Sequence, residues 1–148
     1  MKIGAKGIAL IEASEGFRPQ MYKDAVGLPT IGFGTLIDTK EEQYLLKATI
    51  TREQAENLLR KDVKSIEEKI NRVVQTALTQ NQFDALVSFV YNLGFTNFRK
   101  STLLKRINLN TYDPLIKDEF MKWVYAGGKK LDGLVTRRKE EAELYFKA

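Results

Sequence analysis

Residues 15–35, EGFRPQMYKDAVGLPTIGFGT, form the stretch from which the rest of the chain is interpreted. The stretch opens with an acid, Glu15, directly before a glycine, and it contains a second acid, Asp24. It ends in alternating apolar and small residues, which predict a strand. Residues 25–29, before that strand, include the glycine and proline that are typical of a turn. The sequence therefore predicts a hairpin that brings both carboxyls and the hydroxyl of Thr30 to one cleft.

The segment before Glu15 predicts a helix that ends at this acid. Its apolar residues recur at three- and four-residue spacing, through Ile3, Gly7, Ile8, Leu10 and Ile11. Gly16 can end the helix in the left-handed conformation. Glu15 then lies in the last turn, where the negative end of the helix dipole favours the protonated acid.

A protonated acid that faces an ionised one is the arrangement that glycosidic cleavage requires. One acid donates a proton to the leaving oxygen, and the other acts on water or on the positive charge at the sugar. Glu15 is the candidate proton donor, and Asp24, in the more exposed hairpin, is the candidate anion. Thr30 can hold a water, because a hydroxyl both accepts and donates hydrogen bonds.

Composition narrows the chemistry further. The 148 residues are 43% hydrophobic and 29% charged, as in ordinary globular proteins. They include no histidine and no cysteine, which excludes serine–histidine and cysteine–histidine nucleophiles, disulfides, and zinc sites with nitrogen and sulfur ligands. Carboxylate chemistry remains, so we expect no cofactor and no metal.

The net charge of +5 favours an anionic partner: nucleic acid, a membrane surface, or the peptidoglycan and teichoic acid of a cell wall. No nucleic-acid-binding module matches the sequence. The sequence has no signal-peptide run and no apolar segment long enough to span a membrane. We therefore expect no nucleic-acid partner, no stable membrane insertion and a monomer.

Helix start and stop signals follow the hairpin. Thr51 with Gln54, and Thr79 with Gln82, have the spacing of capping boxes. The first box predicts a helix of about 20 residues, and the second predicts a buried helix that ends at Gly94. Three further helices are predicted: from Ser101 or Thr102 through Ile107, from Asp113-Pro114 to Gly127-Gly128, and from Leu134 to Phe146.

Several short motifs follow one another in order along the chain, and the ordered set is more specific than any single motif. They are Glu15-Gly16-Phe17-Arg18, Tyr22-Lys23-Asp24, Gly27 and Thr30-Ile31-Gly32-Phe33-Gly34, followed by residues 82–87, 92–94, 98, 101–103, 123, 127–129, 133–134 and 137–138. In this order they resemble the phage-type lysozymes, or endolysins, over nearly the whole chain. The resemblance implies an α+β fold, mainly α, with a small β-hairpin lobe and a larger helical lobe joined by a long helix. In this single domain, 1–148, the hairpin lobe would span about 15–50, the connecting helix about 51–74, and the helical lobe about 1–14 and 75–148.

The resemblance also implies a function. It is hydrolysis of the β-1,4 bond between N-acetylmuramic acid and N-acetylglucosamine in bacterial peptidoglycan, with inversion at the anomeric carbon. Glu15 would be the general acid, and Asp24 with Thr30 would handle the attacking water. The protein would be a phage or prophage endolysin made in the host cytoplasm, acting on the wall after passage through the inner membrane. The alternatives are an inactive wall-binding module of the same fold and a basic protein that binds nucleic acid.

Other family positions fall on residues with ordinary structural explanations. Leu36, Tyr91, Asn92 and Ser101 match sugar contacts, and the alternatives are hairpin packing for Leu36, a core hydroxyl and a helix cap for Tyr91 and Asn92, and a cap for Ser101. Arg137 and Arg138 lie near a helix start, where the dipole opposes cations, so we expect a carboxylate partner for at least one of them. That partner would be Glu15, which the arginine would orient, or the arginine would form a plain surface pair. The chain departs from the family at Thr35, where a histidine is common.

Overall fold

The computed structural model describes residues 1–148 as seven α-helices and two small antiparallel sheets. The helices are α1 (Ala5–Glu15), α2 (Arg52–Val73), α3 (Gln80–Leu93), α4 (Phe95–Lys100), α5 (Thr102–Leu109), α6 (Ile116–Met121) and α7 (Asp132–Phe146). The strands are β1 (Arg18–Lys23), β2 (Pro29–Gly32), β3 (Thr35–Leu36), β4 (Tyr125–Ala126) and β5 (Lys129–Lys130), and a 3₁₀ helix covers Lys40–Lys47. The prediction of an α+β fold that is mainly α is confirmed. No helix has the length and apolar character needed to cross a membrane.

The chain divides into two compact units, residues 11–64 and residues 1–10 with 65–148. Helices α1 and α2 each contribute residues to both units. The lobe limits implied by the resemblance, about 15–50 with a connecting helix over about 51–74, stay predictions.

The unit of residues 11–64 contains the three-stranded sheet, in the order β1-β2-β3. Thr30 in β2 pairs with Tyr22 in β1 and with Leu36 in β3. Ile31 and Phe33 are fully buried, so the alternating run packs one set of side chains into the core of this unit. The predicted hairpin is therefore present, with a third short strand beside it.

Helix α3 is the most buried helix of the other unit. Every residue from Gln82 to Val90 is buried. Phe89 makes edge-to-face contacts with three other rings, those of Phe98, Phe120 and Trp123, at centroid distances of 6.0, 5.7 and 5.8 Å. Such aromatic pairs contribute about 0.5–1.5 kcal/mol each beyond the burial of their area. The predicted buried helix is confirmed, and Gly94 ends it with φ +86°.

The predicted capping boxes are both formed. Thr51 Oγ1 accepts from Gln54 N at 3.1 Å, and Gln54 Oε1 accepts from Thr51 N at 2.8 Å. The same reciprocal pair joins Thr79 and Gln82. Each box satisfies two backbone donors that a helix start otherwise leaves without partners, so both helices begin where the sequence places them.

The first turn of α1 is held by a residue far along the chain. Asp84 in α3 is buried, and its carboxylate accepts from Gly4 N at 2.9 Å and from Gly7 N at 3.1 Å. A Cβ at Gly7 would lie 2.8 Å from Asp84 Cβ, so only glycine fits this approach. The Asp84 side chain of α3 therefore caps the first turn of α1.

The predicted helix from Asp113-Pro114 to Gly127-Gly128 is wrong at both ends. Asp113 Oδ1 accepts from Leu115 N at 2.9 Å and forms a turn, so α6 begins only at Ile116. The helix ends at Met121. Gly127 and Gly128, with φ +57° and +79°, are instead the two-residue turn between β4 and β5, because two successive left-handed residues suit a tight hairpin.

Candidate active site

Backbone N–H groups of the hairpin turn hold the Asp24 carboxylate through one of its two oxygens. Asp24 Oδ1 accepts from Val26 N at 3.0 Å and from Leu28 N at 2.9 Å. The backbone closes the same turn, because Asp24 N donates to Leu28 O and Gly27 N donates to Asp24 O, both at 2.9 Å. The two side-chain bonds fall on Oδ1, so Oδ2 keeps its lone pairs for a water or a substrate group.

Thr30 is attached to the same turn. Its Oγ1 donates to Leu28 O at 3.0 Å, and the residue is 3% exposed. The hydroxyl proton is therefore used within the protein, and only the lone pairs of Oγ1 remain for a water. This narrows the sequence expectation, in which the hydroxyl could act as both donor and acceptor: a water here would donate to Thr30.

Glu15 is the last residue of α1 and is partly buried. Gly16 follows with φ +74°, and its N donates to Glu12 O at 2.9 Å. The glycine thus ends the helix as predicted. The chain then enters β1 at Arg18, which pairs with Gly32 of the strand that carries Thr30, so the helix end and the hairpin are joined within one short connection.

The phenol of Tyr22 is affected by the charges of both candidate acids. Burial raises the pKa of the Tyr22 phenol, and the charges of Glu15 and Asp24 raise it further, against the guanidinium of Arg18. The Arg18 guanidinium carbon lies 4.6 Å from the centre of the Tyr22 ring. The only sequence signal for a role of Tyr22 is its position within the Tyr22-Lys23-Asp24 motif. Both candidate acids are therefore near enough to Tyr22 for their charges to act on its phenol.

A family model described as phage lysozyme matches residues 12–141, a range that includes this hairpin. The chain belongs to the phage lysozyme family. It is 40% identical to the endolysin of Acyrthosiphon pisum secondary endosymbiont phage 1, with all of both chains covered. It is 37% identical to the endolysin of Salmonella phage P22, with 99% of each chain covered.

Solved structures agree with this membership. The muramidase domain of SpmX from Asticaccaulis excentricus is 35% identical to the chain and superposes with a TM-score of 0.87, covering 99% of each chain. The fold of this phage lysozyme family member is thus the α+β lysozyme fold that the resemblance implied.

Thr35, at the position where the resemblance implies that a histidine is common, forms a hydrogen bond with helix α2. Thr35 is 1% exposed, and its Oγ1 donates to Asp62 Oδ2 in α2 at 2.8 Å. Burial raises the pKa of Asp62 to about 6, the hydrogen bond from Thr35 opposes this shift, and the charges of Glu42 and Asp38 add to it. A hydroxyl–carboxyl bond therefore links the strand to α2.

Two of the residues that match sugar contacts differ in their local environment. Leu36 is 40% exposed and lies beside Thr30 in the sheet. Ser101 is buried, donates to Phe98 O at 2.6 Å and accepts from Leu104 N at 3.1 Å. The capping alternative for Ser101 is thus confirmed, while sugar contact by either residue stays a prediction.

Tyr91 and Asn92 lie near the end of α3, as expected. Asn92 Oδ1 accepts from Arg138 Nη2 at 2.8 Å, and Tyr91 is partly buried. Asn92 is therefore held by an arginine rather than acting as a helix cap. Sugar binding by both residues stays a prediction.

Arg137 and Arg138 are buried, so the alternative of a plain surface pair is wrong. Arg138 Nε lies 2.8 Å from Glu141 Oε1, and Arg137 Nε lies 3.4 Å from Glu141 Oε2. Ser88 Oγ also donates to Glu141 Oε2 at 2.6 Å. The expected carboxylate partner exists on the same helix, three and four residues along.

Burial governs the charges of this network. It raises the pKa of Glu141, which both arginines counter, and it lowers the pKa of Arg138, which Glu141 counters. The signal in the sequence for Glu141 is its spacing from the two arginines, which is the usual spacing of helical ion pairs. Orientation of Glu15 by one of these arginines stays a prediction. No group of three or more acidic side chains is placed to hold a metal ion.

Proposed function

We propose that this protein is a muramidase. It hydrolyses the β-1,4 bond between N-acetylmuramic acid and N-acetylglucosamine in peptidoglycan, without a cofactor. The observation that carries the proposal is the turn that holds the Asp24 carboxylate and the Thr30 hydroxyl on Leu28, and the effect of both Glu15 and Asp24 on the Tyr22 phenol supports it. The muramidase domain among the structural neighbours supports the same reaction.

In this mechanism Glu15 donates its proton to the glycosidic oxygen as the bond to the anomeric carbon breaks. A water on the opposite face of the sugar donates one hydrogen bond to Asp24 Oδ2 and one to Thr30 Oγ1. Its oxygen attacks the anomeric carbon, and Asp24 takes the proton that the water releases. Glu15 ends as the anion and Asp24 as the acid, and exchange with solvent restores both. The product is inverted, which requires a carboxyl separation of about 6.5–9.5 Å.

The fixed turn explains how Asp24 can act as a base. Two backbone N–H groups hold Oδ1, so the carboxylate does not have to be ordered during the reaction. The hydroxyl of Thr30 cannot donate to the water, because its proton is bound to Leu28 O. The water is thus oriented with both protons toward the protein and a lone pair free for attack.

The test is digestion of purified peptidoglycan by the parent, Glu15→Gln and Asp24→Asn, with mass analysis of the muropeptides and NMR of the first anomer formed. We expect products with a reducing muramic end, inverted at that carbon, and a rate lower by about 10²-fold or more in each variant. Unchanged thermal unfolding would show that each fold is intact. If Glu15→Gln digests as fast as the parent, the assignment of the acid is wrong.

An inactive wall-binding module of the same fold is the alternative. It would sediment with the wall but release no muropeptides, so one digestion separates the two functions. Wall binding alone would not, because a chain of net charge +5 is attracted to an anionic polymer.

The biological setting that fits this activity is lysis by a phage or prophage endolysin, and both endolysin relatives support it. The protein would act as a monomer, be made in the host cytoplasm, and reach the wall after passage through the inner membrane. Fractionation of expressing cells before and after the membrane is permeabilised would test this. Lysis that begins only on permeabilisation is the expected result.

A further inference from the structure

A second pair of acids lies one helical turn before Glu15. The carboxyl of Glu12, in the last turn of α1, lies within hydrogen-bonding reach of the carboxyl of Glu56 in α2. Glu12 Oε1 is buried, and no nitrogen or hydroxyl donor reaches it. Two carboxyl groups can hydrogen-bond to each other only if one of them carries a proton. A hydrogen bond between these two carboxyls therefore requires one proton between them.

Two arginines of α2 surround this pair. Arg52 Nη2 lies 3.5 Å from Glu12 Oε2, and Arg60 Nε lies 3.6 Å from Glu56 Oε2. Glu56, Arg52 and Arg60 are the charged groups that act on Glu12, and all three come from α2. Charged side chains of α2 thus contact the end of α1 at this point.

Arg52 also covers the aromatic residues beside the hairpin. Its guanidinium carbon lies 5.1 Å from the centre of the Phe33 ring and 5.8 Å from that of Phe17. The two rings are themselves 5.6 Å apart. Phe17 follows Glu15 by two residues, and Phe33 follows Thr30 by three. One cation therefore contacts the segments on both sides of the proposed catalytic groups.

We infer that Glu12 is a positioning residue: its hydrogen bond to Glu56 and its contact with Arg52 fix the last turn of α1, and thereby the direction of Glu15. The carbonyl of Glu12 accepts the hydrogen bond from Gly16 that closes this turn. Movement of Glu12 would therefore move the residue that follows the acid. This inference rests on the proposed function, because it assigns Glu12 a role through the general acid.

The charge state of the pair follows from its surroundings. Burial and the contact with Glu56 raise the pKa of Glu12, against Arg52 and Arg60, and the same contact lowers the pKa of Glu56. These directions favour Glu12 as the protonated partner, with Glu12 as donor and Glu56 as acceptor. Glutamine reproduces this donor because its amide N–H replaces the acid O–H. Methionine has a similar length and offers no donor.

The experiment compares Glu12→Met with Glu12→Gln on purified peptidoglycan, at a temperature where both variants are folded by thermal unfolding. We expect Glu12→Met to lower kcat on the order of tenfold with apparent KM unchanged, since misplacement by about an ångström is enough to do this. Glu12→Gln should stay within about twofold of the parent. Glu53→Met, an exposed glutamate in the first turn of α2, is the matched control and should equal the parent.

A second arm tests the contact with Arg52. If Arg52 and Glu12 act as one unit, Arg52→Met should lower kcat, and the double variant with Glu12→Met should be no slower than the slower single variant. Full activity of Glu12→Met would overturn the inference, as would equal losses in Glu12→Gln and Glu12→Met, or a loss confined to KM. Glu15→Gln is measured alongside. If it remains fully active, the proposed acid is wrong, whatever Glu12 does.

Discussion

Asp24 and Thr30 are bound to opposite ends of one residue's backbone: Leu28 N donates to Asp24 Oδ1 at 2.9 Å, and Leu28 O accepts from Thr30 Oγ1 at 3.0 Å. The side chain of Leu28 takes no part in these bonds and is 47% exposed. The relative position of the Asp24 carboxylate and the Thr30 hydroxyl is therefore set by backbone geometry. Changes at Leu28 itself should be tolerated, whereas changes at its two partners should not.

Removal of the Thr30 hydroxyl should slow the reaction without unfolding the protein. Thr30→Val keeps the β-branched shape but removes the acceptor for the water, so we expect kcat to fall on the order of tenfold to a hundredfold. The lost bond to Leu28 O should lower the free energy of unfolding by about 1 kcal/mol. Steady-state digestion and urea unfolding measure the two effects.

Thr136→Val is the control for this change, since Thr136 is exposed on α7. It should leave kcat at the parent value. Parental activity in Thr30→Val would show that the water does not depend on this hydroxyl.

The turn that holds Asp24 should be sensitive to its glycine. Gly27 has φ +87° and open space around it, so Gly27→Ala introduces only backbone strain, roughly 1–2 kcal/mol. We expect a lower urea midpoint and a lower kcat, because the strained turn displaces the Val26 and Leu28 donors.

Gly133→Ala is the opposite case. Gly133 lies in the first turn of α7, also with open space, and has no left-handed φ. Alanine there should raise the free energy of unfolding by about 0.5–1 kcal/mol and leave kcat unchanged. Equal responses to the two substitutions would contradict the conformational explanation.

Asp62 should make the protein less stable as the pH rises. Its pKa is raised from 3.8 to about 6 in the folded chain, so the folded state binds the proton more tightly than the unfolded state. The favourable contribution is complete below about pH 4 and is lost as the pH rises through about 6. Linkage limits the loss to about 3 kcal/mol, and solvent screening of a partly exposed carboxyl reduces it to roughly 1–2 kcal/mol.

Asp62→Asn removes this titration and keeps an acceptor for the Thr35 hydroxyl. Urea unfolding should give the variant the parental stability near pH 4 and higher stability at pH 8. Asp118→Asn, at an exposed position in α6, supplies the comparison and should keep the parental slope. A parental slope between pH 4 and pH 8 in Asp62→Asn would rule out Asp62 as the source.

Loss of the buried carboxylate in α7 should be severe. Glu141→Gln removes the counter-charge of two buried arginines, and breaking a buried pair in this way costs about 3–5 kcal/mol. Thermal unfolding should reveal the loss directly. The neighbouring Glu140 is exposed, so Glu140→Gln should change the free energy of unfolding by less than about 0.5 kcal/mol.

The parts of the fold that depend on local signals were predicted from the sequence. Gly16 and Gly94 end their helices because a left-handed residue is needed there, and glycine adopts that conformation most easily. Thr51 and Thr79 begin theirs because the capping box lies within four residues. The turn after Asp24 was also found from its glycine and proline. In each case the residues that decide the structure are close neighbours in the chain.

The failures involve signals with two meanings or partners that are distant in sequence. The pair Gly127-Gly128 is compatible with both a helix end and a tight hairpin. Because α6 already ends at Met121, the two glycines form the hairpin turn. Thr35 and Asp62 are far apart in the chain, and so are Glu12 and Glu56. Helical periodicity marks neither pair, because a polar residue on a partly buried face has the same spacing as a solvated one.

The first turn of α1 is capped by Asp84, which lies 77 and 80 positions after the two amides that donate to it. During synthesis, more than half of the 148 residues must be made before this carboxylate exists. The helix that ends in Glu15 therefore acquires its cap late, and a fragment that stops before α3 lacks it. The capped form of the helix that carries Glu15 should therefore appear only in chains translated well beyond the hairpin, at least through Asp84.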